Sequence, residues 1–62
     1  MKYYYNKAVA FLVYRVNTET NTVACYGGGG AWINTKADAA FVAEYLDEIT
    51  LAQAKKIYPS LV

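Results

Sequence analysis

Ala8-Val9-Ala10-Phe11-Leu12-Val13-Tyr14-Arg15-Val16, then Asn17-Thr18-Glu19-Thr20-Asn21, then Thr22-Val23-Ala24-Cys25-Tyr26 follow one another without a break. The two outer runs are rich in β-branched and aromatic residues, and polar turn formers separate them, which is the pattern of a β-hairpin. Asn17 suits an Asx-turn, Thr18 and Glu19 suit a type I turn, and Asn21 tolerates positive φ better than most residues. Setting Val16 opposite Thr22 places Tyr14 against Ala24 and Leu12 against Tyr26 on one side of the ribbon. Arg15 then meets Val23, and Val13 meets Cys25, on the other side.

Downstream, Gly27-Gly28-Gly29-Gly30 holds every glycine of the chain and ends the second strand. Ala31-Trp32-Ile33-Asn34 is long enough for a short third strand, completing a meander. Thr35-Lys36-Ala37-Asp38 then reads as an N-cap with an acid in the first turn, favoured by the helix dipole. The helix it opens runs through Leu46, with Ala37, Ala40, Phe41 and Tyr45 on one face and Val42, Leu46 and Ile49 widening it. Asp47-Glu48 marks a link. Thr50-Leu51-Ala52-Gln53 matches a capping box and starts a second helix, which turns Leu51, Ala54, Ile57, Tyr58 and Leu61 inward and stops at Pro59. The expected fold is one small α+β domain over residues 1–62: an antiparallel hairpin or three-stranded meander, then two short helices packed on one face of the sheet.

That arrangement leaves a problem in the first strand. Val9, Phe11 and Val13 point one way; Ala8, Ala10, Leu12, Tyr14 and Val16 point the other. A half-exposed strand alternates apolar with polar residues, and this one is apolar on both sides. Something must cover the second side. A second copy of the chain is the expected answer, so the protein reads as a homo-oligomer, a dimer or higher. The plainer alternative gives each helix a face of its own.

Composition excludes several classes of function. Histidine is absent and Cys25 is the lone cysteine, so no intrachain disulfide, Cys/His zinc site, Ser-His-Asp triad or Cys-His pair can form. The net charge of +1 gives no general attraction for nucleic acid or an anionic membrane, and no apolar run reaches the length of a membrane span. The chain shows no signal peptide, so a cytoplasmic location is expected, with no cofactor, no metal, no catalytic residue and no enzymatic activity.

The candidate binding residues are Tyr3, Tyr4 and Tyr5, flanked by Lys2 and Lys7, together with Gly27, Gly28, Gly29, Gly30 and Trp32. Tyrosines give large rigid contact area with a hydroxyl handle. Three in a row cannot all point inward from a strand, so at least one is expected at the surface or at an interface; the plainer reading of this stretch is an edge-strand continuation whose tyrosines pack partly on the core. The reading that follows is a small non-enzymatic interaction protein that homo-oligomerises and presents its tyrosines to a larger protein, blocking or adjusting it. The size and style are those of the small modulators of phages and mobile elements. The alternative is an oligomer that stacks a small ligand or nucleotide on tyrosine while the Gly27–Gly30 backbone approaches its phosphates. A third is single-stranded nucleic-acid binding, with Lys2, Lys7 and Arg15 for phosphate. Asp47, Glu48 and Glu44 read as solvated acids, Cys25 as a buried small residue, and Trp32 as a core anchor or a contact hot spot.

Overall fold

The computed structural model describes residues 1–6, 8 and 12–61. Its elements are β1 (Lys2–Tyr5), β2 (Val13–Asn17), β3 (Thr22–Tyr26), β4 (Ile33–Thr35), α1 (Ala39–Tyr45), β5 (Asp47–Ile49) and α2 (Leu51–Ile57). The strands form one antiparallel sheet in the order β4-β3-β2-β1-β5, so the α+β class holds with five strands in place of two or three. Val9, Ala10 and Phe11, read as part of the first strand, lie outside the described residues, as does Lys7. Within the described part, that strand begins only at Val13.

The β2-β3 hairpin forms, one residue out of the expected register. Asn17 pairs with Thr22 and Val16 with Val23, which leaves a loop of four residues. The Asn17 carboxamide accepts from the Glu19 and Thr20 amides at 3.0 and 3.3 Å, the expected Asx-turn. Asn21 adopts φ 58°, and its N–H closes on the Asn17 carbonyl at 2.7 Å. This i→i+4 closure lets Asn17 join the ladder, which five loop residues would have prevented. A one-residue slip changes which side chains share a face. Tyr14 therefore neighbours Cys25, Arg15 neighbours Ala24 and Val13 neighbours Tyr26.

The tyrosine-rich start is a strand in the interior of the sheet, between β2 and β5. Tyr4 lies opposite Tyr14 on one side and Glu48 on the other. Asp47 and Glu48, expected to end the first helix or begin a link, are instead strand residues, although acids are poor strand formers. β5 forms because the open side of β1 needs hydrogen-bond partners, and its two acids suit an edge, where charge discourages further pairing.

Each face of the sheet carries its own core. On one, Tyr4, Val16 and Val23 pack with Ala39 and Val42 of α1, flanked by Tyr14 and Leu46. On the other, Val13 and Tyr26 pack with Ala54 of α2 and with Leu61, flanked by Tyr5, Trp32, Ile49, Ile57 and Tyr58. The two helices thus lie on opposite faces, which corrects the expectation of both on one. The apolar reading of both sides of β2 was sound, and the plainer explanation accounts for it. α1 carries the chain from edge β4 to edge β5; β5 then hands it to α2 on the other face.

Both helices are seven residues long. α1 starts later than expected. Asp38 is its N-cap, accepting from the Ala40 amide at 3.0 Å. Thr35 stays in β4, where its hydroxyl donates to the Val23 carbonyl and accepts from the Ala37 amide. Val42 and Leu46 face inward as expected, joined by Ala39, whereas Ala37, Ala40, Phe41 and Tyr45 are exposed and Ile49 belongs to β5. Both sets have helical spacing; the smaller one seats the helix closer to the sheet. The α2 capping box forms as read, with Thr50 and Gln53 bonded reciprocally at 2.8 and 3.1 Å. Ala54, Ile57, Tyr58 and Leu61 turn inward, while Leu51 is exposed.

Candidate functional site

β-strand alternation divides the three tyrosines. Tyr4 points to the α1 face and is 4% exposed; Tyr3 and Tyr5 point to the α2 face and are half-buried. None is freely exposed, because β1 has a neighbour on each side and a helix on each face. The three cannot share one contact surface.

On the α2 face the structure joins several candidates into a row of rings. Trp32 is 6.1 Å from Tyr3 and 5.4 Å from Tyr26 between centroids, and Tyr26 meets Tyr58 edge-on at 5.4 Å. The Arg15 guanidinium lies over the Trp32 ring at 4.4 Å from its centroid, a cation–π contact. Trp32 starts from the β4 side yet meets residues of β1 and β2. The intervening position on this face of β3 is Ala24, whose small side chain leaves room for the indole. The row is half-buried packing, with Arg15 already engaged. Lys2, on the opposite face, cannot join Arg15 in one basic patch.

The glycines lie at the Tyr26 end of β3 and are exposed. Gly28 has φ 91°, and a Cβ there would sit 3.0 Å from Cε1 of Tyr58. The close approach that the glycine allows is therefore to a ring of the same chain. Gly30 has φ 89° with open space around it, and Gly29 is open as well. Gly28→Ala is expected to cost more than Gly30→Ala, since only the former adds a ring clash to about 1–2 kcal/mol of backbone strain. Gly29→Ala should be close to neutral; urea midpoints of the three variants check the ranking.

A cleft of about 280 Å³ opens between α1 and the far end of the β1-β2 pair, lined by Lys2, Tyr4, Val16, Thr18 and Ala40 among others. It lies on the α1 face at the hairpin-loop end. The glycine run is at the other end of β3, so this cleft and the glycine backbone do not converge on one ligand. Cys25 is half-buried beside Tyr14 and Ile33 on the α1 face. Among the described residues no group of three or more His, Cys, Asp or Glu is placed to hold a metal ion, and no helix is long and apolar enough to cross a membrane.

Among the described residues, the most exposed aromatics lie where the sequence did not place them. Phe41 is 55% and Tyr45 67% exposed, and their rings meet at 4.6 Å on the outer side of α1. The i,i+4 spacing makes them neighbours, and their exclusion from the core follows from Ala39 and Val42 facing the sheet. The signal was legible in principle: Ala39, Val42 and Leu46 form a second apolar set at i, i+3 and i+7. Ile33 on edge strand β4 is 65% exposed. Comparison with known proteins finds no match: no family model, curated protein or solved structure is similar to this chain.

Proposed function

We propose that this protein is a non-enzymatic interaction module that occupies the surface of a larger protein through the Phe41–Tyr45 pair of α1. The observation that carries the reading is the exposure of two aromatic rings in contact on a helix whose other side is anchored in the core. Aromatic side chains on a rigid element dominate protein contacts because they bury large area at low cost in conformational entropy. The contact thus moves from Tyr3, Tyr4 and Tyr5 to α1. The mechanism stays that of steric occlusion, with no chemistry of its own. Self-association, if it occurs, has two routes: the Phe41–Tyr45 surface itself, and edge pairing through β4, where Ile33 is exposed.

A photo-cross-linking amino acid placed at position 41, in the cells that make the protein, tests this. The expected result is a discrete adduct identified by mass spectrometry as one larger protein, absent when the probe stands at Ala52 on the outside of α2. An adduct of twice the chain mass would assign the surface to self-association. The same adducts from both positions, or none, would overturn the reading.

A further inference from the structure

The near-neutral net charge conceals a separation of charge along the chain. Residues 37–54 contain four acids, Asp38, Glu44, Asp47 and Glu48, and no Lys or Arg, a net −4. The remaining residues contain six bases and one acid, a net +5. The acidic segment includes the whole of α1 and β5. Asp38 caps α1 and Glu44 lies on it, exposed like Phe41 and Tyr45. Glu48 pairs with Tyr4 across β1 and β5, so it projects to the α1 side of the sheet. Neither Glu44 nor Glu48 has a salt-bridge partner among the described residues. The two exposed rings therefore sit on a helix flanked by these two carboxylates, while the base on this face, Lys2, lies in the cleft at the Ala40 side of α1.

From this charge pattern we infer that the partner of the Phe41–Tyr45 surface is a cationic, partly apolar protein segment, one that sets apolar side chains on the rings and Lys or Arg against Glu44 and Glu48. The inference rests on the reading of α1 as a contact surface and adds the chemistry of what it contacts. Complementary charge at the rim steers encounter and rejects wrong partners, while buried aromatics supply most of the affinity. The same rim disfavours anionic membranes and nucleic acid, whose phosphates would meet carboxylates.

The probe is a pair of amphipathic helical peptides of equal length with the same leucine face, one with lysines and one with glutamates on the polar face. Each is titrated into the isotopically labelled full chain and followed by NMR. The lysine peptide is expected to shift the resonances of Phe41, Glu44 and Tyr45, to bind about ten-fold more tightly than the glutamate peptide, and to weaken as salt is raised. Glu44→Lys with Glu48→Lys should abolish or reverse the preference in a protein that keeps its circular dichroism. Equal binding of both peptides at Phe41 and Tyr45 would overturn the cationic partner and leave the contact surface standing. No perturbation by either peptide would overturn both. Shifts at Phe41 and Lys55 that grow with protein concentration alone would make the occupant a second copy and overturn the inference.

Discussion

Tyr26→Ala is expected to abolish the cooperative unfolding transition of this protein at room temperature. Tyr26 is fully buried at the end of β3, its ring held between Trp32 and Tyr58. Its hydroxyl lies 2.8 Å from the Ser60 hydroxyl, and this bond ties the C-terminal turn to the sheet. That turn places buried Leu61 in the same core, with the Leu61 amide bonded to the Tyr58 carbonyl at 3.0 Å. Truncating a large buried aromatic costs about 3–5 kcal/mol, since the cavity left behind collapses only in part. At typical per-residue stability a chain of 62 residues has only about 3–9 kcal/mol in all. The loss is thus comparable to the whole. Tyr26→Phe keeps the ring and removes only the bond to Ser60, for about 1 kcal/mol. Urea unfolding followed by Trp32 fluorescence reads both variants, because the reporter is in contact with the altered ring. A Tyr26→Ala midpoint close to that of the parent would show that the α2-face core does not support the fold.

The second large effect is expected on the opposite face. Val42→Asp should detach α1 and unfold the domain, at a cost of about 4 kcal/mol or more, because it removes a buried apolar side chain and puts an unpaired carboxylate in its place. Val42 is 2% exposed between Tyr4, Val16 and Val23, side chains that offer a carboxylate no countercharge. The penalty falls on the ionised form, so the folded state holds the introduced proton more tightly than the unfolded state. Stability of the variant relative to the parent then falls as pH rises through the carboxyl's titration and recovers as pH falls. Phe41→Ser, one residue earlier on the same helix, should change stability by only about 0.5 kcal/mol, since that ring is exposed. Circular dichroism with urea titration of the two variants measures the contrast. If Phe41→Ser proved the more damaging, α1 would be facing the sheet with Phe41 and Tyr45 after all.

Local chemistry made much of the fold legible. The Asx-turn at Asn17, the left-handed Asn21, the capping box at Thr50 and Gln53, and the stop at Pro59 each depend on groups a few residues apart, which the chain order itself brings together. The apolar character of both sides of Ala8–Val16 was equally legible, and in its described part Val13 and Val16 are buried under cores on opposite faces. What failed were choices between near-equal alternatives. The hairpin register differed by a single loop residue. Two apolar sets in the segment from Ala37 to Leu46 had acceptable helical spacing, and the one with the larger rings lost. The candidate site failed for the same reason. With Phe41 and Tyr45 read as core, the tyrosines of β1 were left as the apparent surface.

By itself, then, the sequence determined the hairpin turn, the capping box of α2, the α+β class and the need to bury both faces of the hairpin, because these follow from short-range hydrogen bonding and side-chain periodicity. Only the tertiary structure decided that β1 is an interior strand, that Asp47–Ile49 completes the sheet, that each helix takes a different face, and that Phe41 and Tyr45 are left outside. Those outcomes depend on which backbone groups far apart in the chain satisfy one another. The open side of β1 took Asp47–Ile49 as its partner against local strand preference. Once β5 lay at that edge, α1 and α2, which precede and follow it, were placed on opposite faces.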